Sequence, residues 1–267
     1  VSTVKFGSPE EYASLLIMSN FKVYILEITG LPSGQPSNWL RKREVHLIQD
    51  LVYLQVGLRT QSIGMEFDSS GSSYTLLIRN PPKCKNFIQF FTDMVRELTP
   101  GSNSKLKSIS FTRMDPQHQL WPLIQENPAA DSSEGKRPNY LYVLAFLVQD
   151  DVLSPVTVLA TSSTLYLLAE DHQWKKETSE EDNPAPIDPV PVSESQPISN
   201  ISSLSLYHSA PHDVRLHIYH EVSRRESSWC VRTECPEMAS GLVAWVRQYW
   251  EDMFGVPLKI ALHQVPD

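Results

Sequence analysis

Cysteine is scarce, with three in 267 residues, and no two form a C-x-x-C pair. That excludes a disulfide framework and fits a reducing compartment. Long apolar runs are missing too: no stretch approaches the ~20 residues that a membrane-crossing helix needs. The chain opens on Val1, with no methionine, basic leader or apolar leader core, so it is expected to be a piece of a larger protein. Basic charge is in deficit. Lys and Arg number 23 against 31 Asp and Glu, a net charge of −8, which argues against general nucleic-acid binding.

Catalytic motifs are also lacking. There is no G-x-S-x-G, no phosphate-binding P-loop and no dinucleotide glycine fingerprint. His208, His212, His217 and His220 crowd one segment, HSAPHDVRLHIYH, but His217 and His220 have opposite strand parity and so point to opposite faces. No catalytic, cofactor-binding or metal-ligating residue is therefore assigned, and no cofactor is expected. The acceptor triplet NIS at 200–202 is read as chance, given the cysteine usage.

What the chain does have is apolar residues at 41%, enough for packed cores, and an amphipathic pattern that occurs twice. In CPEMASGLVAWVRQYWEDMFG (235–255), Met238, Leu242, Trp245, Val246, Tyr249 and Trp250 share one helical face. In CKNFIQFFTDMVREL (84–98), Phe87, Phe90, Phe91, Met94, Val95 and Leu98 do the same. Both stretches begin near a cysteine and follow strand-like sequence, which suggests a duplication. Sliding the chain on itself sets Tyr24 on Tyr166, Leu51 on Ile201, MEF (65–67) on LHI (216–218), SYTLLI (73–78) on SWCVRT (228–233), and Cys84 on Cys235.

Each copy reads as a series of short strands closed by one helix. The first runs VSTVKF, the hairpin EYASLLIMS with FKVYILEI, then REVHLI, LVYLQVGL, and SIGMEFD with SSYTLLIR about the turn SSG. The second runs YLYVLAFLV, VTVLATS, TLYLLAE, ISSLSLYH, VRLHIYHEV and SSWCVRTE. The expected domains are 1–104 and 139–267, joined by a linker over 105–138. In that linker LKSISFTRM offers an extra strand. Leu120, Trp121, Leu123 and Ile124 are too many large apolar residues for a free tether, so this stretch is expected to dock on a domain or a partner. The second copy carries an insert at about 175–197, rich in Pro, Ser and acid, which is expected to be disordered. Within it, SEED makes Ser179 a candidate site for an acid-directed kinase.

Six or seven antiparallel strands closed by a C-terminal amphipathic helix resemble a pleckstrin-homology (PH) domain or its GRAM relative. The fold class is mainly β with C-terminal capping helices: two PH-like partly open β-barrels in tandem. The resemblance implies a tryptophan in the closing helix, a place that Trp245 fits and that Phe90 or Phe91 takes in the first copy. Trp250, on the flank, is a candidate partner contact beside Trp121 and Leu123.

A lipid-binding PH domain presents basic residues between its first two strands, because each phosphate oxygen needs a charged donor. The corresponding stretches here are acidic: GSPEE (7–11), with Glu10 and Glu11, and QDDVLS (149–154), with Asp150 and Asp151. No lipid-binding residue carries over. The compact basic cluster is Arg41, Lys42 and Arg43, expected in the loop before the fourth strand. With Lys83 and Lys85 nearby, it supports the alternative of a peripheral membrane module on a non-standard surface.

The stretches LLIMSNFKVYILEITG and VLATSSTLYLLAEDHQW resemble the C-terminal region of nischarin and of its leucine-rich-repeat, kinase-interacting relative. That resemblance implies a non-catalytic scaffold in the cytoplasm and on endosomes, with an integrin tail, p21-activated or LIM kinases and a Rac-type GTPase as partners. It assigns no binding residue here.

Overall fold

The structure, a computed structural model, describes residues 1–68, 70–98, 105–106, 109–125, 139–173 and 189–266. Two compact units emerge, one built on Val1–Arg113 and the other beginning at Met114. Both are mainly β with a capping helix, as the patterning predicts.

The first unit holds β1 (Ser2–Lys5), β2 (Ser8–Met18), β3 (Lys22–Ile28), β4 (Leu40–Leu47), β5 (Leu51–Val56), β6 (Ser62–Phe67), β7 (Ser72–Leu77), helix α1 (Pro81–Leu98) and β8 (Ile109–Phe111). Among the described residues the strands run β4-β3-β2-β1-β7-β6-β5-β8. Alternation decides which side chains go inward. Val23 and Ile25 come from one half of this ribbon, and Leu51, Leu54, Ile63, Met65, Phe67, Tyr74 and Leu76 from the other. They meet in one core that α1 closes with Phe91 and Val95. Helix α1 starts after Asn80, whose Oδ1 accepts the Lys83 N–H at 3.0 Å and satisfies an otherwise orphaned donor.

The second unit repeats the plan with α2 (Trp121–Ile124), β9 (Leu141–Gln149), β10 (Val152–Ala160), β11 (Thr164–Leu168), β12 (Val192–Pro197), β13 (Ile201–Tyr207), β14 (Asp213–His220), β15 (Arg225–Arg232), α3 (Pro236–Phe254) and β16 (Ile260–His263). Its strand order is β12-β11-β10-β9-β15-β14-β13-β16. Val158, Leu165, Leu204, Leu216, Trp229 and Val231 build its core against Leu242 and Val246 of α3. Helix α3 stops at Gly255, which sits at φ 66° and donates its N–H to the Glu251 carbonyl. A side chain would be strained in that left-handed cap.

The duplication extends to irregularities. A short 3-10 turn, Ile48–Asp50 or Ile198–Asn200, precedes β5 and β13 alike. A register shift falls between Ile25 and Leu26 in the β3–β4 pairing, and between Leu167 and Leu168 in the β11–β12 pairing. In each unit a late strand returns to lie parallel to the fifth: β8 on β5, and β16 on β13.

Several expectations are corrected. The insert expected at about 175–197 runs too far, because Val192–Pro197 is β12 and pairs with β11. That strand reads VSESQP and buries only Gln196, so no apolar alternation marks it. The expected linker contains β8, and its apolar stretch contains α2. Residues 99–104, 126–138 and 174–188, with Ser179, lie outside the described residues. Pairing Cys84 with Cys235 also fails. Cys84 lies inside the first turn of α1, whereas Cys235 is the residue before α3. Counted from the prolines that open the two helices, Cys84 matches Ala239 and Phe91 matches Val246, and all four are buried. Phe90, the match of Trp245, is instead 55% exposed.

Candidate interaction site

A tight turn needs few residues and leaves no cradle. β1 and β2 are joined through Lys5 facing Ser8, so the connection is Phe6 and Gly7, with Gly7 at φ 83°. β9 and β10 are joined through Gln149 facing Val152, so the connection is Asp150 and Asp151. Their φ values of 48° and 62° put both in the left-handed region, as in a type I′ two-residue hairpin, a conformation that aspartate tolerates. Glu10 and Glu11 lie in β2 rather than in a loop. Both oxygens of Glu11 are held by the buried Arg79 guanidinium, at 2.7 and 2.8 Å.

Arg41, Lys42 and Arg43 lie in β4 itself, not in the loop before it. All three are exposed. Arg41 and Arg43 both donate to Oε2 of Glu27, each through its Nε at 2.7 Å. Hydrogen bonds from Arg43, then Arg41, hold the Glu27 carboxyl below its ordinary range. The Arg43 guanidinium also lies 5.5 Å from the centre of the Tyr12 ring. The register shift makes this possible, because it puts Arg41 opposite Glu27 and sets Lys42 opposite Leu26. Two of the three cations thus already have a counter-ion. Lys83 and Lys85 are exposed near the start of α1.

In the second unit a cleft of about 630 Å³ lies between α3 and the β13–β16 edge. Its walls include Leu206, Ala239, Val243, Ala244, Ile260 and Leu262, and its rim carries Arg247, Gln248, Glu251 and Asp252. Arg247 donates to Glu251 at 2.8 Å, one helical turn away, and that bond lowers the Glu251 pKa. At the far end, Asp213 is buried and takes a bidentate bond from Arg232 at 2.7 and 2.6 Å. β16 is the last strand of its sheet, and Leu262 on it is 67% exposed. Sequence patterning missed this site because β16 is the four-residue stretch IALH, too short for periodicity to register.

The other sequence candidates are placed as follows. Trp250 is half-buried and donates its indole N–H to the Ile201 carbonyl at 2.8 Å, while Trp245 does the same to Thr161 at 2.9 Å. Leu120 is fully buried, and Trp121, Leu123 and Ile124 are half-buried. This stretch belongs to the second unit. Tyr142 and Thr157 hold the Glu170 carboxylate on the outer sheet face, and His118 senses it, although burial is the larger influence and lowers the His118 pKa. His217 and His263 share the Ser205 hydroxyl, at 2.9 and 3.3 Å, whereas His220 bonds Ser227. Among the described residues no three His, Cys, Asp or Glu side chains gather as a metal site. All three cysteines are free. Burial raises each thiol, that of Cys84 to about 12.

Comparison with known proteins agrees with the duplication. The family model "STK11-interacting protein, C-terminal PH domain" matches residues 114–263, and "PLEKHM2 PH domain-like" matches residues 1–111. Serine/threonine-protein kinase 11-interacting protein of Mus musculus is 35% identical over 280 residues, covering 100% of this chain and 25% of its own length. Its Homo sapiens counterpart is 34% identical over 269 residues, covering 97% and 24%. The chain thus spans about a quarter of the length of these curated relatives. They fall on the kinase-interacting side of the two proteins that the sequence stretches resemble. Among solved structures, the PH domain from TgAPH shares 10% identity at a TM-score of 0.29, over 41% of this chain and 82% of its own. The hSac2 domain of human phosphoinositide phosphatase Sac2 shares 13% at 0.34, over 58% and 93%. By the two family models, two PH-like domains stand in tandem, and with more than half of its residues matched by one of them, the chain belongs to the family of STK11-interacting protein C-terminal PH domains.

Proposed function

We propose that the chain is a non-catalytic protein-interaction module of a larger signalling scaffold. The state of the two hairpin tips carries this reading. Where a lipid-binding PH domain holds a phosphorylated headgroup, this chain has two-residue turns, one of them Asp150 and Asp151. Much of the positive charge close by is already engaged, Arg79 with Glu11 and Arg41 and Arg43 with Glu27.

The first partner to test is the kinase that the relatives' name carries, serine/threonine-protein kinase 11. By resemblance, an integrin tail, p21-activated or LIM kinases and a Rac-type GTPase are further proposals. So is a cytoplasmic location with endosomal association through other parts of the full-length protein. Trp121, Leu123 and Trp250 remain candidate contacts. The rival is a membrane module using Arg41, Lys42 and Arg43.

The experiment is to immobilise the purified chain and challenge it with purified serine/threonine-protein kinase 11, beside a variant with Arg41, Lys42 and Arg43 all changed to Gln. Saturable retention, equal in both, supports the reading. No retention by either, or retention that disappears with the triple change, counts against it.

A further inference from the structure

We infer that the cleft between α3 and β16 in the second unit is a docking site for an extended, basic peptide segment of a partner protein. This deepens the interaction-module reading and rests on it for the partner being a protein. A strand at the end of a sheet keeps one row of backbone donors and acceptors unpaired. β16 is such a strand among the described residues, and its inner edge is committed to β13 through pairs such as Leu206 with Leu262. An extended segment laid along the outer edge would take main-chain hydrogen bonds there and turn alternate side chains toward α3. The cleft is ready for them. It measures about 630 Å³, and Val243, Ala244, Leu206 and Leu262 give it an apolar floor.

The charge preference comes from the end of α3. A helix C-terminus carries partial negative charge and favours cations in its last turn. This helix has no basic residue there and instead places Glu251 and Asp252 on the cleft rim. Glu251 is engaged by Arg247 and by the Leu258 N–H. Asp252 is exposed. A lysine or arginine of the docked segment would offset both the carboxylate and the helix end, whereas an acidic segment would be repelled. The free edge selects an extended backbone, the apolar floor selects aliphatic side chains at the alternate positions turned toward α3, and the rim selects lysine or arginine at the position on that same face nearest Asp252.

The probe is a capped peptide of about seven residues, within the usual range of strand length, in which every second residue shares one face: valine at the central positions of that face, lysine at its ends, and threonine between. Its controls replace lysine by glutamate or valine by serine. Binding is followed by fluorescence anisotropy, and protection of the Ile260–His263 amides by hydrogen exchange. The expected result is saturable binding of the valine–lysine peptide with new protection in β16 and weaker binding of both controls. Ala244→Trp, which fills the cleft from an exposed helix position, should abolish binding. Asp252→Lys should weaken the lysine peptide about tenfold and favour the glutamate peptide. Thermal melts check that both variants fold, and Asp252 is an exposed position. Binding that survives Ala244→Trp, protection confined to another strand, or no binding overturns the inference. Kinase retention unaffected by Ala244→Trp would remove this site while leaving the interaction-module reading intact. Peptide docking without kinase retention would do the reverse.

Discussion

At the scale of single residues, polar atoms of large side chains are put to structural use. Trp245 and Trp250 each reach from α3 to a backbone carbonyl, at Thr161 and Ile201, so the indoles both fill space and satisfy an acceptor. Replacing Trp245 by Ala should cost about 3 kcal/mol by urea denaturation, at the low end for a large core deletion because the ring is only half-buried. Trp245→Phe keeps most of the packing and should cost about 1 kcal/mol, one hydrogen bond. Equal losses in the two variants would mean that the ring does not pack as described. The cysteines give a second test. Cys84 and Cys235 are buried, so in the native protein at pH 8 a thiol reagent should modify Cys230 alone at an appreciable rate. All three should react in denaturant. A third test concerns His46, whose Nε2 lies 2.9 Å from the Tyr74 hydroxyl and whose ring stacks on Phe67. Burial lowers its pKa below 6.5. Between that lowered value and 6.5 the unfolded chain binds a proton that the folded chain refuses. Its contribution is therefore complete above pH 6.5 and is lost as pH falls toward the folded-state pKa. An NMR titration should show His46 protonating below 6.5, and an elevated midpoint would contradict the burial.

At the scale of elements, legibility followed the strength of periodic patterning. Long strands such as KVYILEI and DVRLHIYH, and the two amphipathic helices, stand out because their inward residues recur at a fixed period and are large. The match of Tyr24 to Tyr166 and of Leu51 to Ile201 holds in space, since both pairs fall on equivalent strands. β12 and β16 were not legible. Each is specified by a neighbour's free edge rather than by its own side chains: VSESQP pairs with β11, and IALH with β13. Arg41–Arg43 lie in a strand and not in the expected loop for a related reason, because strand pairing opposite Glu27 overrides the loop-like look of three successive cations. The cleft was invisible because it exists only between α3 and a strand that the pattern does not announce. Two deletions follow from the position of β12. Removing residues 178–188 should leave one cooperative melt, because loop-closure entropy changes slowly with length. Removing 178–196 takes away almost all of β12 and uncovers the edge of β11, and should lower the melting temperature by several degrees, in line with a loss of more than 1 kcal/mol. Identical melts would show that β12 contributes nothing.

At the scale of the whole chain, a duplicated fold repeats both its core and its tight first hairpin. Both copies retain the seven-strand series, the 3-10 turn, the register shift, the closing helix and the returning parallel strand. Both join their first two strands by the shortest kind of hairpin, and Asp150 and Asp151 occupy one of them. A headgroup with several negative charges would meet carboxylates there, each close pair costing on the order of 1 kcal/mol at surface dielectric and salt. It would also miss several charge-assisted bonds of ~1.5–3 kcal/mol each. The measurement that bears most directly on the choice of protein over lipid is co-sedimentation of the chain at physiological salt with two vesicle preparations. One carries a bisphosphorylated phosphoinositide, and the other carries phosphatidylserine at equal total charge. The account predicts weak, salt-sensitive and equal binding to the two, with apparent dissociation constants of about 1 mM or weaker, removed by neutralising Arg41, Lys42 and Arg43. Affinity of about 1–10 μM for the phosphoinositide alone, unchanged by that triple substitution, would contradict it and make the chain a lipid reader.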